Sequence, residues 1–145
     1  MTAQCLWVDD KLRGVFKKAE KLSQVFRCTF DFAADFPTAY GKLLEKDYDV
    51  LITDNIFVSK GYGGIEQVIG HFPPNFCAGE AFIEALITRQ IQCRSDTLKR
   101  IVLHSGIEIP PYELLALDDR VKYALKTGTD IDSLVTALGD HLVRR

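Results

Sequence analysis

Six polar residues stand where an apolar run stops. Asp9 and Asp10 follow Leu6-Trp7-Val8, and Asp54 follows Val50-Leu51-Ile52-Thr53. His104 and Ser105 close Ile101-Val102-Leu103, and Lys126 closes the run from Val121 to Leu125. Three carboxylates brought together repel one another and shift their own pKa values unless a cation compensates them. Hard oxygen donors of this kind suit Mg²⁺, with Mn²⁺ as the other candidate, usually bound by one or two carboxylates together with waters and a phosphate. Lys126 supplies a further positive charge, Ser105 a hydroxyl that can donate to a phosphoryl oxygen, and Asp54 a carboxylate nucleophile for a phosphoryl group. Any one of these taken singly is a strand-end charge facing solvent; their joint placement points to a site.

The elements that must position these residues are legible from periodicity. Strand-like Cys5–Val8 precedes Leu12, Val15, Phe16, Ala19, Leu22, Val25 and Phe26, which recur at helical steps, with Lys17, Lys18, Glu20 and Lys21 expected on the wet face. Thr29–Phe32 reads as a second strand near an edge, and Pro37 opens a helix to about Lys46. Val50–Ile52 is continuously apolar, as in a strand covered on both faces. Gly61, Gly63, Gly64, Gly70, Pro73, Pro74 and Gly79 mark loops or a broken helix, and Phe82, Ile83, Leu86, Ile87 and Ile91 mark a helix from about Gly79 to Gln92. A fourth strand spans Ile101–Leu103, Pro110-Pro111 opens a short helix to Leu117, and a fifth strand covers Val121–Leu125. Ile131, Leu134, Val135, Leu138 and Leu142 share one face of a last helix, with Thr129 and Asp132 as its capping pair and Arg144 and Arg145 at its negative end. Strands alternating with helices predict a doubly wound α/β sheet, in which ligands bind beyond the carboxyl ends of the strands. The six polar residues then converge on one rim. The connection between the third and fourth strands, 58–100, exceeds an ordinary crossover by roughly twenty residues.

The 145 residues carry 18 Lys+Arg against 20 Asp+Glu and are 47% hydrophobic, which fits one globular domain, 1–145, and argues against disorder. With a net charge of −2 there is no electrostatic drive toward nucleic acid. No apolar run reaches the ~18 residues of a membrane span, and the N-terminus lacks the features of a signal peptide, so a cytoplasmic protein is expected. Cys5, Cys28, Cys77 and Cys93 form no C-x-x-C pair; Cys5 and Cys28 are core candidates, and His71, Cys77 and Cys93 lack the spacing of a metal site. His104 reads as a strand residue rather than a proton carrier.

Four segments in order, Leu6-Trp7-Val8-Asp9-Asp10, Asp49-Val50-Leu51-Ile52-Thr53-Asp54, Ile101-Val102-Leu103-His104-Ser105-Gly106 and Tyr123-Ala124-Leu125-Lys126, resemble the receiver domain of two-component response regulators over essentially the whole chain. The resemblance implies a flavodoxin-like, three-layer α/β/α fold with strand order 2-1-3-4-5. It implies that Asp54 is the phosphoacceptor, Asp10 a direct metal ligand, Asp9 a ligand through water and Ile56 a ligand through its backbone carbonyl. It makes Ser105 the hydroxyl residue and Lys126 the phosphate-contacting lysine, with Ser105 and Tyr123 as the switch pair. Mg²⁺ (or Mn²⁺) is the implied cofactor. The implied partners are a histidine kinase or histidine phosphotransfer protein upstream and a protein target downstream, without direct contact to nucleic acid or membrane.

This sequence departs from the family at several positions. Thr127 stands where a proline usually follows the lysine, which makes a cis bond there costly by ~3 kcal/mol. Val58 replaces another frequent proline. Ile56 and Ile107 occupy places where polar residues in relatives admit an attacking water, so slow self-dephosphorylation is expected. The chain is expected to catalyse at most its own phosphorylation and dephosphorylation, with no separate substrate. With only Arg144 and Arg145 beyond the last helix, output is expected through protein contact. The alternative is a phosphorylation-independent pseudo-receiver that docks partners through the enlarged crossover. A small Mg²⁺-dependent phosphatase is disfavoured, because Asn55 and Ile56 cannot serve as a general acid after Asp54.

Overall fold

The apolar runs pair into one parallel sheet. The computed structural model describes residues 2–57, 60–71, 77–93, 95–106 and 116–145. Its elements are β1 (Ala3–Val8), α1 (Leu12–Val25), β2 (Cys28–Ala33), α2 (Phe36–Glu45), β3 (Val50–Thr53), α3 (Lys60–Ile69), α4 (Ala78–Ile87), β4 (Arg100–Ser105), β5 (Val121–Leu125) and α5 (Asp132–Leu138). The strand order is β2-β1-β3-β4-β5, all parallel, and β2 is an edge strand as its mixed burial suggests. Register aligns the carboxyl ends: Val8 lies beside Thr53, Thr53 beside Leu103, and Ser105 beside Leu125. The residue after each strand therefore arrives at one rim.

Side-chain alternation divides the core between the two faces of the sheet. Leu6, Val8, Leu51, Ile101 and Leu103 pack with Phe36, Leu43, Ile65, Phe82 and Leu86 from α2, α3 and α4. Trp7, Val50, Ile52, Val102 and Ala124 pack with Val15 and Leu22 of α1 and Leu134 and Leu138 of α5. Cys5 and Cys28 are buried in that second layer. The helices lie on both faces, giving the flavodoxin-like three-layer arrangement. Among the described residues, no helix is long and apolar enough to cross a membrane.

The crossover from β3 to β4 holds two helices. It begins with Phe57, whose ring lies 4.5 Å from that of Phe36, which in turn lies 4.9 Å from Phe82. The chain then makes a left-handed turn at Gly61, Tyr62, Gly63 and Gly64, with φ of 69°, 52°, 70° and 74°. Glycine is required there twice over. The left-handed region penalises a Cβ, and a Cβ on Gly63 would lie 2.7 Å from the Phe57 ring, one on Gly64 2.9 Å from Pro37. The glycine cluster that reads as loop or broken helix is this turn, after which Ile65 enters the core fully buried. The helix expected over 79–92 stops at Ile87, where Thr88 closes it and Arg89 turns left-handed with φ of 60°.

Three expectations are corrected. Lys18 is not on the wet face: it is 5% exposed, because it flanks Val15, Ala19 and Leu22 and its long stem follows them inward. The last helix begins at Asp132 with Ile131 at its N-cap and no side-chain cap, so Thr129 does not cap it; just ahead of the first turn, Asp130 Oδ1 accepts from the Asp132 N–H at 2.8 Å. That helix ends at Leu138, and the chain folds back so that Leu142 is buried. Arg144 and Arg145 consequently sit at the end of α1 instead. Phe26 and Arg144 form an antiparallel bridge, and Arg145 donates from its backbone N–H to the Val25 carbonyl at 2.9 Å and from Nε to the Ser23 carbonyl. Two cations thus serve the negative end of α1. The positions of Val58, Pro73, Pro74, Ile107 and the Pro110-Pro111 helix start lie outside the described residues, although 116–117 are helical.

Candidate functional site

The rim at the carboxyl ends of β1, β3, β4 and β5 gathers Asp9, Asp10, Asp54, Ser105 and Lys126, whereas His104, expected with them, stays fully buried inside β4. The backbone N–H of Asp9 donates to the Ala33 carbonyl (3.0 Å) and that of Asp54 to the Val8 carbonyl (2.9 Å), so the parallel ladder itself holds both carboxylates in place. Asp9, Asp10 and Asp54 each present an oxygen within 4.8 Å of the others. Asp9 is 1% and Asp54 7% exposed. Asp9 Oδ1 accepts from the Lys11 N–H at 2.8 Å, and Asp54 Oδ1 from the Asn55 N–H at 2.8 Å.

Lys126 reaches in from the end of β5. Its backbone N–H donates to the Ser105 carbonyl at 2.8 Å, and its Nζ lies 3.1 Å from Asp9 Oδ2 and 3.5 Å from Asp54 Oδ2. Burial works against this ammonium, but Asp54 and Asp9 outweigh it and hold its pKa above the usual lysine range. Burial likewise pushes the Asp54 carboxyl above the usual carboxylate range; Lys126 opposes the shift and Asp9 reinforces it. One ammonium is therefore too little positive charge for the three carboxylates. Three hard oxygen donors with a residual negative charge fit Mg²⁺ or Mn²⁺.

Ser105 is buried at the end of β4. Tyr123 is half-buried beside it and donates from its hydroxyl to the Ser105 carbonyl at 3.2 Å. Ile56 follows the acidic rim with its side chain 47% exposed. The described residues contain no cis peptide bond, so Lys126–Thr127 is trans, in keeping with the missing proline. His104 is fully buried on the α1 side of the sheet and held neutral, its pKa pushed down to about 4 by burial and by Lys18. Cys77 and Cys93 are half-buried and His71 exposed, and the acidic trio is the only group with metal-ligand geometry among the described residues.

Sequence reasoning missed the clamp that positions Asp54. Asn55 is 3% exposed and grips the first turn of α4: its Oδ1 accepts from the Glu80 N–H at 3.0 Å, its Nδ2 donates to Glu80 Oε1 at 2.9 Å, and its carbonyl accepts from the Gly79 N–H at 3.1 Å. The available signal was Gly79 opening an apolar helical run, a position that reads as loop punctuation until the facing backbone is known.

The raised pKa of Asp54 has a sign that can be checked. The folded state holds this proton more tightly than the unfolded chain, so the contribution of Asp54 to stability is present at acidic pH and is lost as pH rises through the folded pKa. Asp54→Asn is accordingly expected to melt higher than the parent at pH 7 without divalent cation, by about 2–4 °C for roughly 1 kcal/mol. Thermal unfolding with a chelator present measures this, and added Mg²⁺ should stabilise the parent more than the variant.

No protein-family model matches the sequence, and no curated protein matches it. Solved structures do match in fold. A CheY-like receiver domain of Methylobacillus flagellatus superposes with a TM-score of 0.61 at 17% identity, covering 97% of this chain and 98% of that one. The response regulator TrrA of Thermotoga maritima, in complex with Mg²⁺ and BeF, superposes at 0.58 and 17% identity over 97% and 98% of the two chains. DrrB of Thermotoga maritima, an OmpR/PhoB homologue, matches at 0.57 and 15% identity; 95% of this chain is covered but only 52% of that longer one. With sheet order and helix placement in agreement, this chain has the fold of response regulator receiver domains.

Proposed function

We propose that the chain is a phosphoacceptor receiver of a two-component phosphorelay, taking a phosphoryl group from a histidine kinase or phosphotransfer protein onto Asp54. The observation that carries this reading is the convergence of Asp9, Asp10 and Asp54 within 4.8 Å, with Lys126 reaching both Asp9 and Asp54. Asp10, Asp54, Asp9 through water and the Ile56 carbonyl would hold Mg²⁺, which when bound offsets the charge of carboxylates and phosphoryl oxygens. The Mg²⁺ and BeF held by TrrA support this reading.

In the transfer, an Asp54 carboxylate oxygen forms a bond to phosphorus while the N–P bond of phosphohistidine breaks. The electron pair leaves with the imidazole nitrogen, which takes a proton from solvent. The Asn55 N–H orients the carboxylate, Lys126 exchanges part of its pairing with Asp54 for a phosphoryl oxygen, and Ser105 donates its hydroxyl to another. Occupation of Ser105 draws on the same segment whose carbonyl holds Tyr123, so phosphorylation shifts a two-state surface around these residues. Output is a protein contact, and the domain, 1–145 with its enlarged crossover 58–100, works in the cytoplasm.

Incubation with Mg²⁺ and acetyl phosphate or phosphoramidate is expected to add about 80 Da to the parent and nothing to Asp54→Asn, read by intact mass. No gain with either donor would favour the phosphorylation-independent docking module. Because Ile56 presents an apolar, exposed side chain beside Asp54, the phosphorylated form is expected to persist for minutes or longer. Replacing Ile56 by Glu or Asn should shorten that lifetime several-fold, and a parent lifetime of seconds would refute the assignment of Ile56.

A further inference from the structure

A cavity of about 320 Å³ opens beside the acidic rim, between α1, the end of β4 and the turn after β5. Its size falls within the range of roughly 300–1,000 Å³ typical of small-molecule pockets. The titratable groups lining it are Lys11, Lys18, Lys126, His104 and Asp9. Asp9 is already engaged by Lys126 and by the Lys11 N–H. His104 is neutral. Lys11 and Lys18 are therefore the lining cations that no lining carboxylate pairs with, while Lys126 is taken up by Asp9 and Asp54 at the cavity's acidic edge.

Lys18 is the informative residue. It is 5% exposed, and its Nζ lies 3.0 Å from His104 Nε2, while His104 Nδ1 lies 3.0 Å from the Ala124 carbonyl. The carbonyl can only accept, so Nδ1 carries the ring proton and Nε2 accepts from the ammonium. One N–H of Lys18 is thus satisfied by an uncharged imidazole, two remain, and no carboxylate among the described residues lies within ion-pair distance of it; burial and Lys126 lower its pKa, while Asp9, Asp54 and Asp130 oppose this only from farther away. Buried charges are ordinarily paired with an opposite charge. An anion at ion-pair distance has a place to sit, because Lys18 lines the cavity.

The wall of α1 leaves this cavity accessible. Gly14, one turn before Lys18, lines the cavity, and a Cβ there would meet nothing within 4 Å. Glycine inside a helix costs about 1 kcal/mol relative to alanine, and no packing demand of the described core requires it here. Its absent side chain leaves the cavity open. On the far side, Lys21 Nζ donates to the Thr129 carbonyl at 3.1 Å and ties the turn after β5 to α1.

We propose that this cavity is a binding site for a small organic anion, whose phosphate or carboxylate group pairs with Lys18 and Lys11. The site does not require Asp54 to be a phosphoacceptor. The test is titration of the full chain at low ionic strength with a chelator present, using inorganic phosphate and, separately, succinate, followed by backbone amide NMR and calorimetry. Saturable shifts centred on Gly14, Lys18 and Gly128 are expected with at least one probe, and the probe that binds names the recognised group. Lys18→Met should weaken binding about tenfold or more. Gly14→Leu, which fills the cavity from a position with free space, should abolish binding with the amide spectrum of the fold retained, and Asp54→Asn should keep it. The proposal is overturned if neither probe saturates by about 10 mM, or if the shifts centre on Asn55 and Ser105 and survive Gly14→Leu.

Discussion

Replacing Gly79 by alanine is expected to cost about 2–3 kcal/mol of stability and to slow phosphorylation of Asp54 by tenfold or more. A Cβ at this position would lie 2.2 Å from the Asp54 carbonyl oxygen, 2.8 Å from Asn55 Cα and 3.0 Å from the Asp54 carbonyl carbon. All three are backbone atoms, so no side-chain rotation relieves the clash. Either α4 backs away from the sheet or the Asp54–Asn55 peptide moves. The first breaks the bonds from the Gly79 N–H and the Glu80 N–H to Asn55, and the second shifts the carboxylate itself. A displacement near 1 Å at a reacting group costs about a hundredfold in rate when geometry is already productive, so a tenfold loss is a modest expectation. Urea unfolding and the initial rate of mass gain measure the two effects. Gly41→Ala is the control: it lies in α2 with nothing within 4 Å of the added carbon, and should be neutral or stabilising by up to about 1 kcal/mol. Parent-like phosphorylation of Gly79→Ala would show that α4 does not position the acceptor.

Lys126→Met is expected to have the second large effect, a loss of about 3 kcal/mol without divalent cation together with near-complete loss of phosphoryl acceptance. Asp9 is 1% exposed and would be left with the Lys11 N–H as its partner, facing Asp54 and Asp10 with no cation at ion-pair distance. The pKa of Lys126 is raised in the folded protein, so its stabilising contribution is complete below the unfolded lysine pKa and fades only as pH climbs through the folded value. Across neutral pH the penalty of the variant should therefore be flat. Acidification should shrink it, because Asp54 has a raised pKa and takes up a proton early. Added Mg²⁺ should recover part of the lost stability but not the phosphorylation, since Lys126 also binds a phosphoryl oxygen. Thermal unfolding against pH and Mg²⁺ separates these outcomes, and a penalty that grows on acidification would contradict the assignment.

The residues behind these predictions differ in how visible they were. Asp9, Asp54, Ser105 and Lys126 could be placed on one rim from sequence, because parallel strands with short apolar runs have a common carboxyl end and the residue after each run must arrive there. Neighbouring strands obey this in register, with Val8 beside Thr53 and Ser105 beside Leu125. Lys18 was misplaced for an equally physical reason. Helical periodicity assigns a residue to a face, but a lysine flanking that face can turn its stem either way, and the choice depended on His104 arriving from β4, 86 positions away. The terminal arginines were misplaced because the last helix stops at Leu138 to let Leu142 pack, a decision of the core and not of local propensity, and the capping pair because that helix begins only at Asp132, with Ile131 in the N-cap position.

The sequence alone thus determined the alternation of strands and helices, the parallel sheet and the acidic rim with its lysine, since these follow from local periodicity and from the rule that strand ends align. Only the tertiary structure decided the clamp of Asn55 on Glu80, the contact that forbids a side chain at Gly79, and the burial of Lys18 against His104 beside an open cavity. Each of these depends on which elements meet across the core and at what distance, and spacing along the chain carries no record of either.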